Sequence, residues 1–465
     1  MHKGSSKPIA SRIGEWCGTT GLSDISTEML QRVKLHILDQ VGAQVSCRNM
    51  PTVRQAHEYA LQFGKSGKAH LMGTLHRLDA EFAGFANGTA GSAFEIDDYG
   101  GNGAYSHPGC TVVPAAFALA EETNATGADL LRGAALGFET VIRLARATMP
   151  SLFLGRGFHH TSVLGVLGVA VTGSALLREP GQVATNAISL AASQSAGTTE
   201  YAQTGGEVKR CHAGMAVANG IRALRLAQIG VTGPATIIEG KRGFLQAYCN
   251  DYHETELTEH LGRRWYFLEH GAIKPYAACG LFHHHFAAFD TLLKKHSFAA
   301  SEIHKIELGC EPLMIIHNGA HGSAPTDIVG AQFSAEYSMA LRVILGANDV
   351  GAYLDMQEQN FANPEILAVA QRISMHEVKE YGDFPPRGSV TVTLKNGQKL
   401  EEEGYALGSP ENPLSSKDIQ DKYLQLVGRE CGEAVARESM DLILSLEALK
   451  DVGQITRLFA EPRAI

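Results

Sequence analysis

The stretch Glu95-Ile-Asp97-Asp98-Tyr-Gly-Gly-Asn-Gly-Ala-Tyr-Ser-His107-Pro sets three carboxylates and an imidazole at the two ends of a glycine-rich loop. A backbone that bends freely between such groups can bring them over one pocket, where they would exchange protons with a bound molecule. The same residue types also ligate zinc, and an acidic loop can simply be solvated. Two further segments favour proton transfer on an anionic substrate. Gly155-Arg-Gly-Phe-His159-His160 puts paired histidines immediately before a long apolar helix, and Gly205-Gly-Glu-Val-Lys209-Arg210-Cys-His212 puts two cations and an imidazole at the start of another. Helix N-termini carry unpaired N–H groups and a partial positive charge, so they receive anions. Lys209, Arg210 and His212 therefore read as a carboxylate-binding and acid–base cluster, with a solvated basic turn as the plain alternative.

The elements that must hold these groups are mostly helical. Ser26-Thr27-Glu28 caps a run whose apolar residues, Met29, Val33, Ile37, Leu38 and Val41, recur near a 3.6-residue period. The pattern predicts helices over 52–63, 80–94, 111–122, 127–148, 161–177, 182–195 and 213–229. Several are rich in Ala and Gly, which lets helix axes approach closely. No strand-like alternation appears before residue 300. Beyond it, 303–308 alternates as a strand, helices are expected over 279–294 and 331–345, and two alternating runs joined by Asn396-Gly397 predict a hairpin over 389–402. Helices return over 416–426 and 430–449. The expected architecture is mainly α with an α+β insert. A large helical domain is built from both chain ends (1–266 and 406–465), and a smaller α+β domain spans 267–405.

Composition sets outer limits. With 465 residues the chain has room for two cores, and 44% apolar against 19% charged residues is ordinary globular composition. A net charge of −9 argues against nucleic-acid binding. The eight cysteines form no CxxC pair, which argues against a disulfide framework or a structural zinc and for a reducing compartment. The polar start, Met1 to Pro8, has no signal-peptide core, and the most apolar run, 163–177, is too short to span a bilayer. A cytoplasmic protein is expected, with no membrane or nucleic-acid partner.

Taken together, Glu95-Ile-Asp-Asp-Tyr…His107-Pro, Gly157-Phe-His-His-Thr-Ser, Val208-Lys-Arg-Cys-His-Ala-Gly, Glu239-Gly-Lys-Arg-Gly-Phe, Ile273-Lys-Pro-Tyr-Ala-Ala-Cys-Gly-Leu-Phe-His and Ala331-Gln-Phe-Ser-Ala-Glu-Tyr337 resemble the MmgE/PrpD family, in family order from about residue 25 to residue 460. That family includes 2-methylcitrate dehydratases, cis-aconitate decarboxylases and iminodisuccinate epimerases. The resemblance implies a homodimer with a pocket between its two domains, acting on a small di- or tricarboxylate without metal or organic cofactor. Mammalian-type decarboxylases carry a histidine where this chain has Cys279. The fungal type has Tyr-Ala-Cys-Cys-Gly-Leu-Val-His where this chain has Tyr276-Ala-Ala-Cys-Gly-Leu-Phe-His283. The loop before His107 is one residue longer than in the fungal enzyme.

The family's reactions begin by adding or removing a proton at a carbon α to a carboxylate. On that resemblance, His107 and His159 are the expected proton-transfer pair, and Lys209 the group that holds a substrate carboxylate. Asp97 would orient a histidine or a substrate hydroxyl. Glu95, Asp98, Arg210, His212, Lys274, Cys279 and Tyr337 are the expected substrate contacts. Decarboxylation of cis-aconitate or a related unsaturated tricarboxylate is the leading activity, followed by dehydration of a 2-alkylcitrate and by epimerisation. A non-catalytic binding protein on the same fold is the alternative of a different class. His283-His284-His285 invites a metal reading, but successive helical residues point about 100° apart and cannot all reach one ion. His317 and His321 read as loop residues. The Gly100–Gly103 run lacks the strand that a dinucleotide fingerprint requires.

Overall fold

The computed structural model describes residues 7–318, 321–381 and 387–460, and the polar start at 1–6 lies outside them. Ser26 caps the Thr27–Ser46 helix as its sequence predicts, accepting from the Met29 N–H at 3.2 Å. Around that helix stand Pro51–Phe63, Ala80–Gly91, Gly109–Thr123, Gly127–Thr148, His160–Leu176, Gly181–Ala192 and Val208–Gln228. The fold is mainly α, with a few small sheets. Every residue of His160–Leu176 is buried, because helices cover it on all sides. The small residues do what their spacing implies. A Cβ on Gly88 would come within 3.0 Å of the Gly214 Cα, so the Ala80–Gly91 and Val208–Gln228 helices cross nearly backbone to backbone.

A larger core gathers the helices from Ile9 to Phe267 together with Tyr423, Val427 and the residues out to Phe459. A second core is built mainly from Tyr276 to Leu400, with Phe94, Ile96 and Leu426 reaching into it. Its sheet has the order Ile373–Glu377, Ile303–Cys310, Arg387–Leu394, Lys399–Tyr405; the first pair is parallel and the others antiparallel. The hairpin turns at Asn396-Gly397, where Gly397 sits at φ 86°. This left-handed geometry is what Asn-Gly supplies. The Ser416–Cys431 helix packs back on Thr27–Ser46.

Three expectations need correction. Short strands do occur before residue 300: Ser66–His70 with Arg77–Leu78, and Asp98–Gly100 with Gly271–Ile273. Strands of two or three residues cannot display a period of two, and Ser66–His70 buries only its last two residues, so alternation had nothing to register. The run expected as one helix over 331–345 is two, Ile328–Phe333 and Ala335–Leu345, because Ser334 leaves the helical region and caps the second through its hydroxyl. Finally, His317 belongs to the helix Pro312–Asn318 rather than to a loop.

Candidate active site

The antiparallel pairing of Asp98–Gly100 with Gly271–Ile273 matches Asp98 to Ile273, and so brings the acidic cluster beside Lys274. Lys422 fastens the junction. Its ammonium donates to the Ile96 carbonyl at 2.8 Å, the Lys274 carbonyl at 2.7 Å and Asp39 Oδ1 at 2.5 Å. Glu95 stands at φ 56°, a left-handed conformation that costs a residue with a side chain about 1–2 kcal/mol. That backbone turns its carboxylate to Lys209 Nζ, which it contacts, and to Lys274 Nζ at 3.4 Å.

Behind Glu95 lies a second ion pair. Asp97 Oδ1 is 3.2 Å from Lys274 Nζ, and its Oδ2 is 3.2 Å from His107 Nδ1. Burial opposes the Asp97 charge, but Lys274 and His107 hold its carboxyl well below the usual range. His107 Nδ1 also lies 2.7 Å from the Asp98 carbonyl, which can only accept. The proton is therefore on Nδ1, and in the neutral ring Nε2 keeps its lone pair.

These groups line one cavity. Glu95, Tyr99, Tyr105 and His107 form one wall, and Phe153, His159, His160, Tyr201 and Lys209 a second. Lys274, Cys279, Leu281, Leu313, His317 and Phe333 complete it. The His160 ring sits 5.5 Å from that of His107, and Lys209 Nζ lies 5.0 Å above the ring of Phe333. Burial, helped by the neighbouring imidazoles, pushes His159 and His160 far down and so keeps both rings neutral. His317 falls to about 3 through burial and the charge of Lys209. Burial and Lys274 press Lys209 the same way, and its Nζ is in contact with the Glu95 carboxylate. Burial raises the Cys279 thiol, which leaves it a neutral wall rather than a thiolate.

Of the residues singled out in the sequence, Glu95, His107, His159, Lys209, Lys274 and Cys279 meet at the cavity, with Asp97 directly behind it. Four do not. Asp98 is fully buried, accepting from the Gly109 N–H at 2.8 Å at the start of a helix and pairing with His36 Nδ1 at 2.9 Å. Arg210 turns toward Glu207, 3.8 Å away. One position on a helix is a rotation of about 100°, enough to separate it from Lys209. His212 sits behind His159 and lines a different groove. Tyr337 is buried in the second core against Phe361. Conversely, Tyr105, Phe153, Tyr201 and Phe333 carried no signal, since aromatic residues read as core. His283, His284 and His285 face different partners: His283 bonds to the Ala278 carbonyl at 3.1 Å and His285 to the Gly309 carbonyl at 2.9 Å, while His284 faces Glu311. Among the described residues no group of three or more His, Cys, Asp or Glu is placed to hold a metal ion. No described helix is long and apolar enough to cross a membrane.

Family models for the MmgE/PrpD N-terminal domain and C-terminal domain match residues 11–256 and 276–448. The chain belongs to the MmgE/PrpD family. The cavity draws its walls from both matched regions, with Lys209 from the first facing Cys279 and Phe333 from the second. Cis-aconitate decarboxylase of Aspergillus terreus is 26% identical to this chain, with 98% of the chain and 96% of the relative covered. The Homo sapiens protein of that name is 23% identical over 94% and 92%, and the Mus musculus one 24% over 95% and 91%. These likenesses and the family membership make this MmgE/PrpD protein a lyase.

Proposed function

We propose that this lyase decarboxylates cis-aconitate, or a closely related unsaturated tricarboxylate, without metal or organic cofactor. The observation that carries the reading is the likeness, over nearly the whole chain, to fungal and mammalian proteins named for that activity. The chemistry of the cavity supports it. Lys209 and Lys274 supply two fixed cations, and Glu95, now held by both, is the anion that a substrate carboxylate would replace. Such cations stabilise charge that spreads into a carboxylate as a C–C bond to CO2 breaks. The electron pair of that bond enters the conjugated system, and one proton must be delivered to carbon. His107, oriented by Asp97, and His159 are the acid–base pair for that step. Cys279 and Tyr105 shape the wall.

We further propose that the protein works as a homodimer in the cytoplasm. The deciding experiment incubates purified protein separately with cis-aconitate, 2-methylcitrate and iminodisuccinate, and follows each by NMR. Itaconate and CO2 are expected from the first. Water loss from 2-methylcitrate alone would replace this reading with a dehydratase, and turnover of the third alone with an epimerase.

A further inference from the structure

His159 and His212 meet Nδ1 to Nδ1 at 2.9 Å. Two ring nitrogens at that distance share one proton, so one ring donates and the other accepts. The pairing has two sides. His159 lines the cavity that holds Lys209 and His107, whereas His212 lines a separate outer groove with Tyr59, Phe85, Met215 and Arg222. The cavity volume is about 60 Å³, against about 470 Å³ for the groove. At ~15 Å³ per water centre the cavity has room for roughly four waters, and a bound tricarboxylate leaves none. With that water displaced, the His159–His212 contact offers a proton a route that does not pass through the cavity.

We propose that His159 and His212 form a proton wire between the outer groove and the catalytic cavity, with His212 a positioning residue that acts through His159. The proposal rests on the decarboxylase reading for its direction of flow. In the loaded state His212 donates from Nδ1 to the Nδ1 lone pair of His159, and His159 carries its proton on Nε2. That proton passes to the substrate carbon as the bond to the leaving carboxylate breaks and CO2 departs. The shared proton moves to His159 Nδ1, and His212 takes a replacement on Nε2 from groove water. Both rings stay neutral and have exchanged tautomers. When product leaves, cavity water returns a proton to His159 Nε2, the shared proton moves back, and His212 releases one to the groove.

The surroundings favour neutral rings throughout. His160, His107 and His317 face His159, and Lys209 faces His212; burial and these neighbours lower both imidazoles, His212 to about 4. Tyr201 packs edge-on against both rings, and Glu81 and Arg222 stand at the groove. A cationic relay would be costly here, and tautomer exchange avoids it.

His212→Asn tests the wire, because an amide can occupy the Nδ1 position and hydrogen-bond to His159 yet cannot pass the proton on. The expected result is a fall in kcat of roughly 10-fold or more with KM within about twofold, partly restored by added imidazole. An unchanged kcat, or a loss that imidazole does not relieve, overturns the proposal. A second measurement needs neither variant nor substrate. In ¹⁵N-histidine-labelled wild-type protein, NMR should find one proton coupled to the Nδ1 atoms of both rings, and its absence overturns the wire. Itaconate formation by wild-type protein tests the assigned reaction separately, so the two ideas fail independently.

Discussion

Replacing Asp97 by Asn removes one negative charge while keeping the side chain's shape. Its Oδ2 lies 3.2 Å from His107 Nδ1. When His107 takes a proton on Nε2, that carboxylate stabilises the cation by about 332/(20 × 3.2), or ~5 kcal/mol, at an effective dielectric of ~20. Lys274 occupies the other oxygen at 3.2 Å and offsets part of this, so about half, ~2–3 kcal/mol, is the expected net. At 1.36 kcal/mol per tenfold, kcat should fall roughly 100-fold. Little change is expected in the tautomer of His107, because the Asp98 carbonyl still accepts from Nδ1 at 2.7 Å. Steady-state kinetics on the true substrate, with circular dichroism to verify folding, measures the loss. A folded variant within about threefold of wild-type kcat would refute the electrostatic role of Asp97.

Lys209→Ala and His107→Ala should each cut turnover roughly 100-fold or more with the fold intact; full activity in both would mean that the pocket has been misplaced. Asp98→Asn should instead lower stability by about 1–3 kcal/mol in denaturant melts, since Asp98 accepts from the Gly109 N–H and pairs with His36. Activity should survive EDTA, and its loss with recovery on adding a divalent ion would contradict the metal-free mechanism. Glu311 gives a pH signature, because burial raises its carboxyl to about 7 and neither oxygen accepts a hydrogen bond. Between the unfolded pKa near ~4.3 and about 7 the native state holds a proton that the unfolded state has lost, so stability should fall with rising pH, by up to ~4 kcal/mol. Glu311→Gln should match wild type at low pH and melt higher at pH ~8; equal melting at both would show that Glu311 is not held neutral.

What the sequence makes legible follows from how locally each feature is encoded. The helix Gly127–Thr148 agrees at both ends, because Thr126 and Asp129 form a capping box that local sequence prints. His107, His159, Lys209 and Glu95 could be singled out for a similar reason, since each lies in a short segment whose polar residues interrupt an apolar pattern. Their assembly is another matter. It depends on a three-residue strand pairing 175 positions apart, Asp98 with Ile273, and on Lys422 reaching two carbonyls from a helix near the C-terminus. Neither has a local signature. Two of the four residues that stand away from the cavity, Arg210 and His212, sit within one helical turn of Lys209. There the question is which way a side chain points, and helix phase relative to neighbours decides it. His212 is the instructive case. In the proposed wire its imidazole acts one ring removed from the substrate, because Val208–Gln228 turns it toward the outer groove and leaves His159 between it and the cavity.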